Sequence, residues 1–227
     1  MKRVVLCLIC SLFFLYFPGP DTGIVEKLEE GVALAASGNE KRPVISTDWW
    51  EKGRALAVSG DLYGAIDAFT MAIKLNPQSS LSYNDRGDVY NRSGEYQQAI
   101  RDFTRAIELN PEFIIAYSNR GLVYMILGNY NLAISDFSRV IELNPGHAVD
   151  YSNRGDAYRQ SGDLQNAIVD LTRAIEIDPK FAQAYVNRAV IQDGLGNGEG
   201  AIEDLKKAAR LGHKVAQEFL KSKKEEW

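Results

Sequence analysis

Pro77, Pro111, Pro145 and Pro179 stand at a constant interval of 34 residues, each closing a near-identical phrase: KLNP, ELNP, ELNP and IDP. A fixed period of that length means that one supersecondary unit is repeated, and that no single unit can bury its apolar face without a neighbour. A chain built this way has few places for a unique catalytic pocket, so its function is sought on a surface shared by the repeats.

With the proline as position 32, position 4 reads Trp49, Tyr83, Tyr117, Tyr151 and Tyr185, and position 8 reads Gly53, Gly87, Gly121, Gly155 and Ala189. Position 11 is Leu56, Tyr90, Tyr124, Tyr158 and Gln192, and position 20 is alanine throughout, Ala65, Ala99, Ala133, Ala167 and Ala201. Position 24 reads Phe69, Phe103, Phe137, Leu171 and Leu205. Spacings of three and four residues return to one helix face, so positions 4, 8 and 11 mark a first helix and positions 20, 24 and 27 a second. The small residues at 8 and 20 let the two cross closely. Gly60, Gly94, Gly128, Gly162 and Gly196 end the first helix, and Asp61, Asn129, Asp163 and Asn197 suit the N-cap of the second. The prolines stop it.

This alternation of aromatic, glycine, aromatic, alanine, aromatic and proline resembles the tetratricopeptide repeat (TPR) family. The resemblance implies an all-α, right-handed superhelix of five antiparallel hairpins over residues 46–212, divided as 46–79, 80–113, 114–147, 148–181 and 182–212. The fifth departs from the pattern at Ala189 and Gln192 and has no closing proline.

The ends are of other material. Lys2 and Arg3 precede an apolar run from Val4 to Phe17, closed by Pro18, Gly19 and Pro20. Residues 1–20 are therefore expected to be a secretory signal or an N-terminal membrane anchor, the run 4–17 being the tether in the second case. Either places the repeats outside the cytoplasm, secreted, periplasmic or membrane-tethered. Cys7 and Cys10 are the only cysteines and lie inside that run, so removal of the segment leaves a thiol-free chain. Residues 21–45 read as a linker in which GVALAASG at 31–38 echoes GRALAVSG at 53–60. It is either a plain connector or a cap helix over Trp49 and Trp50. Residues 213–227 read as a capping helix and tail, with Val215, Phe219 and Leu220 facing inward.

The 227 residues carry a net charge of −4, and acidic residues outnumber basic ones within the repeats as well. A phosphate-binding surface needs concentrated positive charge, so nucleic acid is excluded as a partner. His147 and His213 are far apart at repeat boundaries, and no phosphate loop, HExxH, CxxC or GxSxG occurs. No catalytic, metal or cofactor site is expected.

Two patterns remain. Position 7 is Arg86, Arg120, Arg154 and Arg188 in the last four repeats, where position 23 is Asp102, Asp136, Asp170 and Asp204; the first repeat has Lys52 with Ala68. A guanidinium on a packed face needs a partner, so these residues are expected to form structural ion pairs. By resemblance to the family, positions 2, 5, 9, 12 and 13 face a concave groove. Here the repeats differ: Trp50 and Arg54 in the first, Asp88, Asn91 and Arg92 in the second, Leu122, Met125 and Ile126 in the third, Asp156 and Arg159 in the fourth. The third alone is apolar at positions 9, 12 and 13, and adds Ile115 at position 2. An apolar anchor point flanked by polar groups suits a peptide, although Met125 and Ile126 would equally serve as core. Asn119, Asn153 and Asn187 occupy position 6, but the lysines of the family's carboxylate clamp are missing, which tells against a terminal-carboxylate ligand. The reading is a non-enzymatic adaptor binding a protein or peptide segment, with a structural or oligomerising subunit of an envelope-associated assembly as the alternative.

Overall fold

A computed structural model describes residues 44–227. The segments 1–20 and 21–43, including any cap helix, lie outside the described residues. The described unit is all helix and turn: α1 Ser46–Ser59, α2 Leu62–Leu75, α3 Ser80–Arg92, α4 Tyr96–Leu109, α5 Ile114–Ile126, α6 Tyr130–Leu143, α7 Ala148–Ser161, α8 Leu164–Ile177, α9 Ala182–Gly194, α10 Gly198–Arg210 and α11 Lys214–Lys223. The first ten pair as antiparallel hairpins in a TPR-like solenoid, and α11 packs on α10.

Local chemistry sets these bounds. Gly60, Gly94, Gly128, Gly162 and Gly196 all adopt positive φ where the first helix of a hairpin ends, a conformation that costs other residues about 1–2 kcal/mol. Asp61, Asp163 and Asn197 cap the second helix by accepting from the amides of Gly64, Asn166 and Gly200. Asn129, expected to do the same, makes no such bond. The Leu132 amide that it would satisfy donates to the Asn129 carbonyl instead.

Packing within a hairpin turns on positions 8 and 24. A methyl at Gly53, Gly87 or Gly121 would lie 2.8–2.9 Å from the ring of Phe69, Phe103 or Phe137, so glycine is required where the partner is aromatic. These three rings and Leu171 are fully buried, each contributing about 1.5–3 kcal/mol of transfer free energy. Gly121→Ala is accordingly expected to destabilise by about 1–3 kcal/mol despite alanine's better helix propensity. At Gly155 the nearest atoms, Leu171 Cγ and the Ala167 carbonyl oxygen, lie at 3.2 and 3.3 Å, and Gly155→Ala should be the milder change. Urea melts of both variants check the order.

Hairpins are joined by a recurring staple. In the second, Arg86 donates through Nε and Nη2 to both oxygens of Asp102, at 2.7 and 2.8 Å, and through Nη1 to Thr70 Oγ1 of the preceding hairpin at 2.9 Å. Arg120 does the same to Asp136 and Thr104, Arg154 to Asp170 and Ser138, and Arg188 to Asp204 and Thr172. Each arginine thus closes its own hairpin and ties it to the one before. Rings at positions 4 and 11, such as Tyr117 and Tyr124, flank the guanidinium at 5.8–5.9 Å. Burial pulls against the charge of Arg120, yet its hydrogen bond to Asp136 holds its pKa above the ordinary arginine value.

The staple stops where the array stops. Lys52, in the first hairpin, lies over Trp49 at 4.7 Å, and Lys206 stands where earlier hairpins place Thr or Ser. Lys206 pairs with Glu225 of the tail at 2.7 Å. The capping helix departs from expectation in part: Leu220 is buried as expected and Ala216 is buried beside it, while Val215 is 65% and Phe219 41% exposed. Alanine at 216 meets Ala208 and Ala209, which lets α11 approach more closely than a valine face would.

Candidate inner-face binding site

The first helices of the hairpins approach one another: α1 touches α3, α3 touches α5 and α7 touches α9. No comparable contact joins the second helices, so the first helices line the inner side of the array.

On this side the first two hairpins form a cleft of about 230 Å³ between α1 and α3, reaching Asn119 of α5. A polar chain crosses it. Trp50 Nε1 donates to Asp85 Oδ2 at 2.9 Å, Asn84 Nδ2 to Asp85 Oδ1 at 3.0 Å, and Asn119 Nδ2 to Asn84 Oδ1 at 3.2 Å. Three successive first helices are thereby linked by side chains. Arg54 lies over the Trp50 ring at 4.9 Å, and Arg92 Nη2 donates to the Ala57 carbonyl at 2.9 Å, crossing from α3 to α1. Asp88 is half-buried; burial raises its carboxyl pKa, Arg92 lowers it in part and Asp85 adds to the rise.

Beyond the cleft lies an apolar shelf. Ile115 is 57%, Leu122 42% and Ile126 56% exposed, so these side chains face solvent. Met125 is half-buried and packs with Phe137 and Ala157, as core. Leu81 and Val149 extend the exposed apolar row on α3 and α7. In the fourth hairpin Arg159 donates to Asp156 Oδ1 at 2.6 and 3.0 Å, so this pair is internally matched. Asn91, half-buried, does not line the cleft.

The structure therefore brings Trp50, Arg54, Asp88 and Arg92 together and sets Leu122 and Ile126 one hairpin further on, apart from the Asp156–Arg159 pair. Sequence reading missed Asn84 and Asp85. The signal was present: position 6 is asparagine in the last three repeats and aspartate only at Asp85.

The histidines serve the turns. His147 Nδ1 lies 2.9 Å from Asp150 Oδ2, but its side chain is 55% exposed. His213 accepts at Nδ1 from the Ala216 amide as the cap of α11, which leaves Nε2 to donate to Gln183 Oε1 at 3.2 Å. Among the described residues no group of three His, Cys, Asp or Glu could hold a metal ion, and no helix is long and apolar enough to cross a membrane.

Comparison with known proteins follows the repeats. Models described as TPR repeat or tetratricopeptide repeat match residues 87–128 and 155–196, 114–147, 68–101, and 182–211. No curated protein matches the sequence. Among solved structures, MamA is similar at 27% identity over 73% of this chain and 96% of that one, with a TM-score of 0.68. MamA residues 41-end from Desulfovibrio magneticus RS-1 share the fold at 19% identity and a TM-score of 0.70, covering 74% of this chain and 96% of that one. YrrB, described as a TPR protein with an unusual peptide-binding site, shares it at 23% identity, covering 84% and 97%, with a TM-score of 0.66.

Proposed function

We propose, from the premise that this chain belongs to the tetratricopeptide repeat family, that it is a non-enzymatic structural subunit whose inner face holds protein segments in an envelope-associated assembly. The observation that carries the reading is the exposed shelf of Ile115, Leu122 and Ile126 beside a cleft already wired by Trp50, Asp85 and Asn84. Exposed apolar groups rimmed by fixed polar ones mark interaction surfaces. The likeness to MamA, which takes in 96% of that chain, supports the repeat array as the working part of the molecule. The basic start and apolar run of residues 1–20 support a place at or beyond the membrane.

Self-association through the inner face is favoured over stacking at the ends. The far end is covered by α11, and a continued solenoid would bring Lys52 of one copy against Lys206 of another, where the staple needs a hydroxyl. A second reading, an adaptor for a separate protein's segment, is favoured by the hydrogen-bonded cleft, which is preorganised for a ligand.

Sedimentation of wild type beside a Leu122→Asp/Ile126→Asp variant tests both. A structural subunit is expected to exceed monomer mass, and the variant to dissociate with an unchanged melting temperature. A monomeric wild type whose captured partner is lost in the variant indicates the adaptor. A variant that assembles and captures as wild type does would overturn the inner face as the site.

A further inference from the structure

We propose that the inner face binds the C-terminal segment of a second copy of this chain, with Lys224 entering the cleft at Asp85 and Asp88 and Trp227 resting on Leu122 and Ile126. The proposal rests on the structural-subunit reading and names its partner.

The cleft is graded in charge. Asn84 is buried at its floor and Asp85 and Asp88 are half-buried, whereas Arg54 and Arg92 are exposed at its mouth. Asp85 is held by Trp50 and Asn84, but Asp88 has no hydrogen-bond or ion-pair partner among the described residues, although Arg92 is one helical turn away. Its folded-state pKa is raised, so the charged carboxylate opposes folding above its unfolded pKa, and this cost is relieved as pH falls. A carboxylate kept at such a cost beside a second one is completed by a cation from outside. An anion reaching the floor would meet two carboxylates.

The apolar requirement is set one hairpin away. Leu122 occupies in α5 the position that Asp88 occupies in α3. Helices in contact lie roughly 10 Å apart, and an extended chain rises about 3.3 Å per residue. A ligand fits both features when a cation and a bulky apolar side chain stand about three residues apart. Beyond α11 the chain continues as Lys224-Glu225-Glu226-Trp227 outside any helix, and that is the spacing of Lys224 and Trp227. Glu225 and Glu226 then pass the mouth, where Arg54 and Arg92 are exposed. Release of the tail sacrifices the Lys206–Glu225 pair and the contact of Lys221 with the Trp227 ring at 5.9 Å, both partly exposed and so weak.

Binding in cis is ruled out by reach. Three hairpins separate the cleft from α11, roughly 30 Å at helix-packing distances, and four residues span at most about 14 Å. The contact is therefore head-to-tail between copies, which builds rings or open chains.

The test is sedimentation velocity on the full chain over a concentration series, with a labelled peptide of residues 219–227 as an independent probe. Wild type is expected to associate and to bind the peptide; Lys224→Glu, Trp227→Ala and Asp88→Lys should each weaken association by about tenfold or more. The charge-swapped double variant Asp88→Lys/Lys224→Glu should regain it. Dissociation by Leu122→Asp/Ile126→Asp with full association of Lys224→Glu and Trp227→Ala would overturn the tail as occupant while leaving the structural-subunit reading intact. A wild type that stays monomeric and ignores the peptide would overturn it too, leaving the adaptor.

Discussion

Arg120→Met is expected to destabilise the array by about 3–5 kcal/mol, the cost of leaving a buried carboxylate without its partner. Asp136 is 6% exposed at the side chain and takes both of its strong hydrogen bonds from Arg120, at 2.7 and 2.9 Å. Methionine keeps the stem packed between Tyr117 and Tyr124, so the loss reports on the charge and not on a hole. Two controls separate the parts of the staple. Thr104→Val removes one neutral acceptor and should cost about 1–1.5 kcal/mol, whereas Arg120→Met/Asp136→Leu removes both charges and should recover most of the loss. Denaturant melts of the four proteins close the cycle. A double variant as unstable as the single would mean that the staple holds the hairpins by its net attraction.

The extent to which sequence revealed this molecule follows from periodicity. Gly121 with Phe137, and Arg120 with Asp136, recur every 34 residues, and covariation within one chain stands in for contact. The acceptors Thr70, Thr104, Ser138 and Thr172 recur too, but serine and threonine at a half-buried helix position look like ordinary surface residues. Their role emerges only when the next hairpin is placed against them. The inner face was legible in its residue types and not in its wiring: Arg92 reaches the Ala57 carbonyl across helices, a backbone acceptor that no side-chain pattern can announce. Met125 shows the limit of helical spacing, since it lies between the exposed Leu122 and Ile126 yet turns inward to Phe137 and Ala157. The same one-residue ambiguity blurred the face of α11, where Leu220 is buried as expected but Ala216 takes the place expected of Val215 and Phe219.

That face supplies the second large effect. Leu220 is fully buried against Tyr185, Ala208 and Ala209, and Leu220→Ala should cost about 2–5 kcal/mol through lost transfer free energy and the cavity left behind. In a solenoid each unit contacts only its neighbours, so this cost need not spread along the array. Hydrogen exchange is expected to show protection falling in α10 and α11 while α3 to α6 keep theirs. Arg120→Met, at the centre of the array, should instead lower protection on both sides of α5. Phe219→Ser is the discriminating control: 41% exposed, it should leave exchange in α10 unchanged. A Phe219→Ser variant that loosens α10 as much as Leu220→Ala would mean that α11 packs by the other face. The Lys206–Glu225 contact and the exposed position of the tail would then have to be redrawn with it, because both depend on which side of α11 meets α10.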